Sequence, residues 1–413
     1  MTEDAFEFDA RSAPWRGPDA REWIEWRLAE AEVEAGQAAR ALATQMAAMA
    51  DVLAEAERHP EVFAIFDGEP TADDLRVAYD AAVADLAVRL SVAEGTVALM
   101  AHQARNLRTR APLTWATFRE GDISAANARK LADVLDSLPV AASCDSDLDA
   151  RAVDLARLAP ARFAERMRTL RERLHPRALE ERHRDAAASR RVVREVEPDG
   201  MAWLGFFLPA AAAQAAWERI DAAARHLAVP GESRSLDELR ADVGADLLTG
   251  FHDPETAPRV TVGVLVPMMT LLGLSDEPAT LEGYGPIDGD TARRLAAHAP
   301  SFHRILTHPV SSTVLDVDRA TYRPPADLTR WLRLRDGTCR FTGCGRAAKN
   351  CDLDHTGDWA KGGRTAAGNL AHLSRRHHTL KHRSRWRVEQ GPGGILTWTS
   401  PTGHVSTSDP PPF

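Results

Sequence analysis

Residues 339–382, CRFTGCGRAAKNCDLDHTGDWAKGGRTAAGNLAHLSRRHHTLKH, hold three of the chain's four cysteines and five of its fifteen histidines. Cys339 and Cys344 flank a glycine-containing knuckle, and Asp354-His355 ends a short apolar stretch. Gly362-Gly363 then makes a turn, Asn369 opens a helix-like run, and His377-His378 sits within it. Short apolar runs with glycine punctuation predict two short strands, a glycine-rich loop and one helix. Few arrangements other than a metal site bring Cys, His, Asp and Asn so close, because together they offer soft thiolates, imidazoles and hard oxygens.

The stretch resembles the HNH endonuclease family, whose ββα-metal core supplies the letters of its name here as His355, Asn369 and His378. The resemblance rests on Cys339, Cys344, Asp354-His355, Gly362-Gly363, Asn369-Leu370, Leu373 and His378, at the family's intervals. It implies metal-dependent hydrolysis of phosphodiesters. That reaction needs a base to activate water and a cation to stabilise charge on the phosphate and the leaving oxygen. His355, with an imidazole that titrates near neutrality, is the expected general base. Asp354 offers a hard oxygen to a divalent ion, Mg²⁺ or Mn²⁺, and His378 reaches the same ion from the helix. Asn369 belongs to the site either as the strap of the loop carrying His355 or as a ligand.

Four residues at three places depart from the family pattern. Thr342 stands where Pro is common, Gly357-Asp358 replaces an apolar-Pro pair, and Ser374 occupies a usual Cys position. The last bears on a second, structural Zn²⁺ that such modules often carry. Cys339, Cys344 and His377 are its expected ligands, but a neutral serine hydroxyl is a poor fourth. Cys351 is an alternative fourth donor. Otherwise the knuckle is half vestigial, and packing of Phe341, Leu353, Leu370, Leu373 and Leu380 holds the module.

Charge concentrates at the same place. The 413-residue chain has a formal net charge of −9, yet between Arg330 and Gln390 fourteen Lys and Arg face five Asp and Glu, a local +9 that leaves −18 elsewhere. A basic module on an acidic chain points to a polyanion partner for that module. DNA is the expected partner, with Arg375, Arg376, Lys381 and Arg383 contacting it. Two alternatives stay open: a DNA-binding protein that does not cut, and an RNA-directed nuclease. Two-strand cutting by a single site favours a homodimer. Clustered cysteines argue against a disulfide framework, with Cys144 a lone buried thiol. No apolar run approaches the ~18 residues of a span, and the acidic N-terminus is not signal-like, so a cytoplasmic protein without membrane contact is expected.

The expected fold class is α+β: a mostly helical N-terminal domain with a small sheet, then the ββα module. Residues 1–18 read as disordered, 19–310 as the helical domain, 311–334 as a connector, 335–385 as the nuclease module and 386–413 as a β-hairpin-like tail. Leu42, Met46, Met49 and Leu53 mark one face of a helix ended by Pro60, and Thr71 caps a second helix running to about Leu90. Residues 91–138 look superficially like a helix-turn-helix with Ser124 as a cap. A helix is expected through 148–174, with an Arg-rich face read as solvated and salt-bridged. RVVREVE, a Pro198-Asp199-Gly200 turn and MAWLGFFL read as a hairpin that RVTVGVLV (259–266) could join. Gly283, Gly285 and Gly289 punctuate the approach to a helix at 290–298 and lack the Lys of a phosphate loop. VLDVDR (314–319) could form a strand in the connector. This upstream region resembles the uncharacterised, mostly helical domain family found in front of HNH modules. That resemblance rests on DGMAWLGFFLP (199–209), ELRADVGADLL (238–248), LEGYGPI (281–287) and YRPPADLTRWLRLRDGTCRF (322–341), and it implies an architecture but no activity.

Overall fold

Thr71 accepts from the Asp74 amide while the Asp74 carboxylate accepts from the Thr71 amide, so one capping box satisfies both orphan donors at the start of a helix. Side-chain caps at Thr71, Ser124 and Ser374 start three of the helices in the computed structural model, which describes residues 20–139, 142–174, 179–249, 264–281, 284–297, 324 and 326–410. The expectations for residues 1–18, for 314–319 and for Gly283 fall outside the described residues, as does the side chain of Cys144. The chain divides into two compact units at Pro176/Arg177, and it is α+β.

The first unit is helical: α1 (Ala20–Arg58), α2 (Ala72–Leu90), α3 (Glu94–Arg110), α4 (Pro112–Glu120), α5 (Ala125–Asp136), α6 (Ala142–Asp154) and α7 (Pro160–Leu174). Ala43, Met46, Met49 and Leu53 of α1 are buried, and α1 packs on α2, α3 and α4. Ser124 caps α5 as expected. α5 lies against α3 and α7, burying Ala128, Leu131, Ala132 and Leu135 as a core helix does. The single helix expected over 148–174 is instead α6 and α7. Pro160 cannot donate to a continuing helix and starts a new one, and Asn127 donates to the carbonyls of Ala156 and Leu158 in the break, at 3.0 and 2.8 Å.

The second unit begins with α8 (Leu179–Ala188) and the hairpin of β1 (Arg191–Val196) and β2 (Ala202–Phe207). Asp199 and Gly200 take positive φ in its turn. Then come α9 (Ala210–Leu227), α10 (Leu236–Thr249), β3 (Val264–Leu265), α11 (Met268–Leu271), β4 (Ala279–Leu281), β5 (Gly285–Ile287) and α12 (Gly289–Ala297). The third strand does not join the hairpin among the described residues. β3 pairs with β4, which pairs with β5, around Ala279, Ile287 and Ala292.

The rest is α13 (Ala326–Asp336), β6 (Asp352–His355), β7 (Leu370–Leu373), α14 (Arg375–Arg383), β8 (Arg387–Gln390), β9 (Leu396–Thr399) and β10 (Val405–Ser408). β6 and β7 are antiparallel, with Asp354 opposite Ala371, and α14 packs on both. Three expectations change here. The end of the expected connector is α13, which buries Leu328 and Leu332 against Ala367 and Leu370. Asn369 opens no helix: it closes a 3₁₀ turn and leads into the fully buried β7. The tail is a three-stranded meander, β8–β9–β10, rather than a lone hairpin.

The meander is part of the module's core. Trp398 is fully buried, donates from Nε1 to the Arg340 carbonyl at 2.9 Å, and meets Phe341 edge-on. Beneath them Asp336, wholly buried, accepts from Arg335 Nε at 2.8 Å, Arg340 Nη1 at 3.1 Å, and both the amide and Nδ1 of His372. Burial works to raise the Asp336 carboxyl, but the His372 hydrogen bond and the charges of Arg335, His372 and Arg340 hold it below its ordinary value. Arg335 also donates to the carbonyls of Ala367 and Leu370, and Arg340 to those of Gly394 and Ser408. One carboxylate thus gathers α13, β7 and the last sheet.

Candidate metal centre

β6 ends on Asp354-His355, and α14 carries imidazoles at positions 378 and 382, one turn apart on the same helix face. Packing α14 on β6 brings one oxygen of Asp354 and a ring nitrogen from each of His378 and His382 within 4.8 Å of one another. Oδ1 of Asp354 lies 3.4 Å from His378 Nε2 and 3.3 Å from His382 Nε2. Asp354 and His378 were expected on sequence grounds. His382 was not, although an H-x-x-x-H spacing on a helix is a readable ligand signal.

Asp352 was missed as well. It faces His378 Nδ1 at 3.0 Å, and a carboxylate on one ring nitrogen leaves the other free to ligate, the usual support of a metal-bound histidine. The hydrogen bond to Asp354 raises the His378 pKa, reinforced by Asp352. Burial would raise the Asp354 carboxyl, but hydrogen bonds from His378 and Lys381 hold it well below the usual range. A proton and a cation therefore compete for His378. One carboxylate oxygen and two imidazoles on a half-buried, partly open face fit a divalent ion, and imidazole suits a transition ion better than Mg²⁺.

His355 is 7% exposed, and its Nε2 lies 2.9 Å from Thr365 Oγ1, which fixes the ring's direction. Burial lowers its pKa, with Asp354 pulling the other way, which favours the neutral ring that can accept a proton. Asn369 is the loop strap. Its Oδ1 accepts from the Gly357 amide at 2.7 Å and from Thr356 at 3.1 Å, while Nδ2 donates to the carbonyls of Gly357 and Arg364.

This strap explains the paired glycines. Gly362 has φ +94°, and a Cβ on Gly363 would fall 2.0 Å from the Gly357 carbonyl oxygen and 2.8 Å from Asn369 Nδ2. Gly363→Ala is therefore expected to force the strap open. The cost is roughly 1–3 kcal/mol, as for other overpacked sites, read as a lower melting temperature and faster proteolysis between 357 and 365.

A second group joins Cys339, Cys344 and His377 within 4.8 Å. His377 stacks on Phe341 with ring centroids 4.1 Å apart, and its Nδ1 lies 3.4 Å from Cys339 Sγ. Of the two thiol protons one is easily lost and the other is held between the sulfurs. Cys344 is depressed by the hydrogen bond from Cys339, and Cys339 is correspondingly raised. Two thiols and an imidazole with paired acidity suit zinc. Ser374 sits beside them, its Oγ 2.9 Å from His377 Nδ1, and caps α14 by accepting from the His377 amide. Cys351 is turned away, its sulfur directed at the carbonyls of Arg346 and Ala347.

Of the four expected nucleic-acid contacts, Arg375 has an 82% exposed side chain, paired with Asp352 at 3.2 Å. Arg376 is exposed and Arg383 half-buried. Lys381 departs from the expectation. Its side chain is 6% exposed, and its ammonium lies 2.6 Å from Asp354 Oδ2 and against the His355 carbonyl.

The sequence profile of a family described as "Domain of unknown function (DUF222)" matches residues 32–336. Over 90 residues the chain is 46% identical to the uncharacterized proteins Rv2100 and Rv3776 of Mycobacterium tuberculosis (strain ATCC 25618 / H37Rv). Those alignments take in 22% of this chain and 16% and 17% of the relatives, so the matched part is a small fraction of each relative's length. No solved structure matches the chain. No helix among the described residues is long and apolar enough to cross a membrane.

Proposed function

We propose that this chain, which belongs to the DUF222 family, carries in its C-terminal ββα module a divalent-metal-dependent HNH endonuclease that hydrolyses phosphodiester bonds in DNA. The observation that carries the reading is the meeting of Asp354, His378 and His382 in one ligand group, next in sequence to a buried His355 held by Thr365. Three protein ligands on a partly open face make the pattern of a catalytic rather than a closed structural site. A bound ion would stabilise charge on the scissile phosphate and the leaving oxygen. His355 takes the proton of the attacking water, Asn369 holds the loop that carries it, and the exposed arginines of α14 attract the phosphate backbone.

The test is incubation of the purified protein with supercoiled plasmid in Mn²⁺, Mg²⁺ or EDTA. Nicked or linear product with the metals, Mn²⁺ above Mg²⁺, and none with EDTA is the expected result. Intact plasmid under all three conditions, from protein that binds the metal, overturns the reading.

A second reading, a zinc-stabilised DNA-binding module that does not cut, draws on the Cys339–Cys344–His377 group. In both readings that group holds a structural zinc. Protein purified without chelator should contain about one zinc per chain, lost in Cys339→Ser, because a thiolate pair is what selects the ion. Elemental analysis measures this, and a well-folded protein without zinc rules it out.

A further inference from the structure

We infer that Lys381 is a positioning residue of the metal centre rather than a contact to nucleic acid: its ammonium fixes Asp354 and the His355 carbonyl so that Asp354 presents Oδ1 to His378 and His382. The inference rests on the metal-centre reading above. α14 places Lys381 between the two histidines in sequence, three residues after His378 and one before His382, yet its chain runs inward. A lysine that grips phosphate keeps its strongly hydrated ammonium in water. This one is 6% exposed and has exchanged that water for Asp354 Oδ2 at 2.6 Å, the His355 carbonyl, and Asp358 Oδ1 at 3.8 Å. Burying an ammonium is costly unless anions and carbonyls replace its hydration.

The carboxylate is thereby divided. Oδ2 belongs to Lys381, and Oδ1 lies 3.4 and 3.3 Å from the nitrogens of His378 and His382. Without the ammonium, Asp354 is free to turn about its own bond and to offer either oxygen or both. The second contact, to the His355 carbonyl, pins the backbone at the residue proposed as base. A single nitrogen thus sets the relation between ligand and base, and hydrogen bonds to a metal-ligating carboxylate are the kind of support whose loss weakens metal binding 10–100-fold. The same geometry has a rival reading in which the ammonium is a resident cation competing with the metal for Asp354. The two predict opposite signs.

The experiment is calorimetric titration of the full chain with Mn²⁺ for wild type, Lys381→Met, Lys381→Arg and His378→Ala, with duplex-DNA affinity followed against salt. Lys381→Met is expected to bind Mn²⁺ about 10–100-fold more weakly and to keep the wild-type salt slope, with Lys381→Arg recovering part of the affinity. If the methionine variant does not fold, Lys381→Gln replaces it with the same expectation. Equal or tighter Mn²⁺ binding by the neutral variant overturns the inference. So does a salt slope reduced by about one with unchanged Mn²⁺ affinity, which returns Lys381 to the phosphate backbone. Wild-type protein that binds no Mn²⁺, or binds it as well after His378→Ala, overturns the metal-centre reading and this inference with it.

Discussion

His355→Ala is expected to lower metal-dependent plasmid cleavage by about 10²–10⁴-fold, the contribution of a general base, while leaving DNA affinity and its salt dependence at wild-type values. The substitution removes the group proposed to accept water's proton and leaves the side chains of Asp354, His378 and His382 in place, so Mn²⁺ affinity should hold as well. The arginines of α14 that would attract the phosphate backbone also stay. Loss of the ring frees Thr365 Oγ1 of the bond at 2.9 Å, a local change at the mouth of the loop strapped by Asn369. Single-turnover cleavage of supercoiled plasmid reads the chemical step. A wild-type rate from the folded variant would sink the assignment of His355.

The second large effect is on stability. Asp336→Ala should cost the module about 3–5 kcal/mol, because breaking a buried ion pair leaves its partner charges uncompensated. Here two guanidiniums, on side chains only 4% and 2% exposed, would lose their common carboxylate. His372 would lose the acceptor for its amide and its ring. A melting temperature lower by several degrees or more is expected, with rapid proteolysis of the segment after 336. The sign with pH follows from the depressed carboxyl. Its folded-state pKa lies below the ordinary value of 3.8, so its contribution is fully present above that value and is lost as pH falls through the folded pKa. Wild type should therefore lose this stability only in strong acid, and the alanine variant should lack it already at neutral pH. Unchanged melting together with unchanged protease resistance would refute the role given to Asp336.

What could be read from the sequence was what residue type and spacing carry by themselves. Thr71, Ser124 and the Asp199-Gly200 turn acted locally, and the structure has each in place. Cys339, Cys344 and His377 come together, as do Asp354 and His378, since ligand chemistry limits what such residues do together. The failures have physical causes. β7 is buried on both faces, so its strand has no alternation to display and the run after Asn369 passed for helix. Lys381 looked like surface charge because its partner, Asp354, comes from a strand 27 residues away. The fate of Asp336 and Arg340 depends on His372, Gly394 and Ser408, and no local window contains them. Pro160 was different: it stood in plain view in the middle of the helix expected there, as a break signal not used.

Asp336 also bears on how such modules can be exchanged between chains. The family match ends at this residue, while the side chains that complete its bonding, Arg340 and His372, lie beyond it. A genetic crossover at that edge would take Arg335 and Asp336 from one parent and their partners from the other. A recombinant lacking the first half would leave the buried Arg340 guanidinium without its carboxylate, and one lacking the second would leave Asp336 with Arg335 alone. Shuffling of this module between chains should therefore succeed when the exchanged segment includes α13, and fail at the family's own border. Chimeras joined before Ala326 and after Asp336, compared for yield of folded protein, measure whether the edge of the family match is also a boundary for folding.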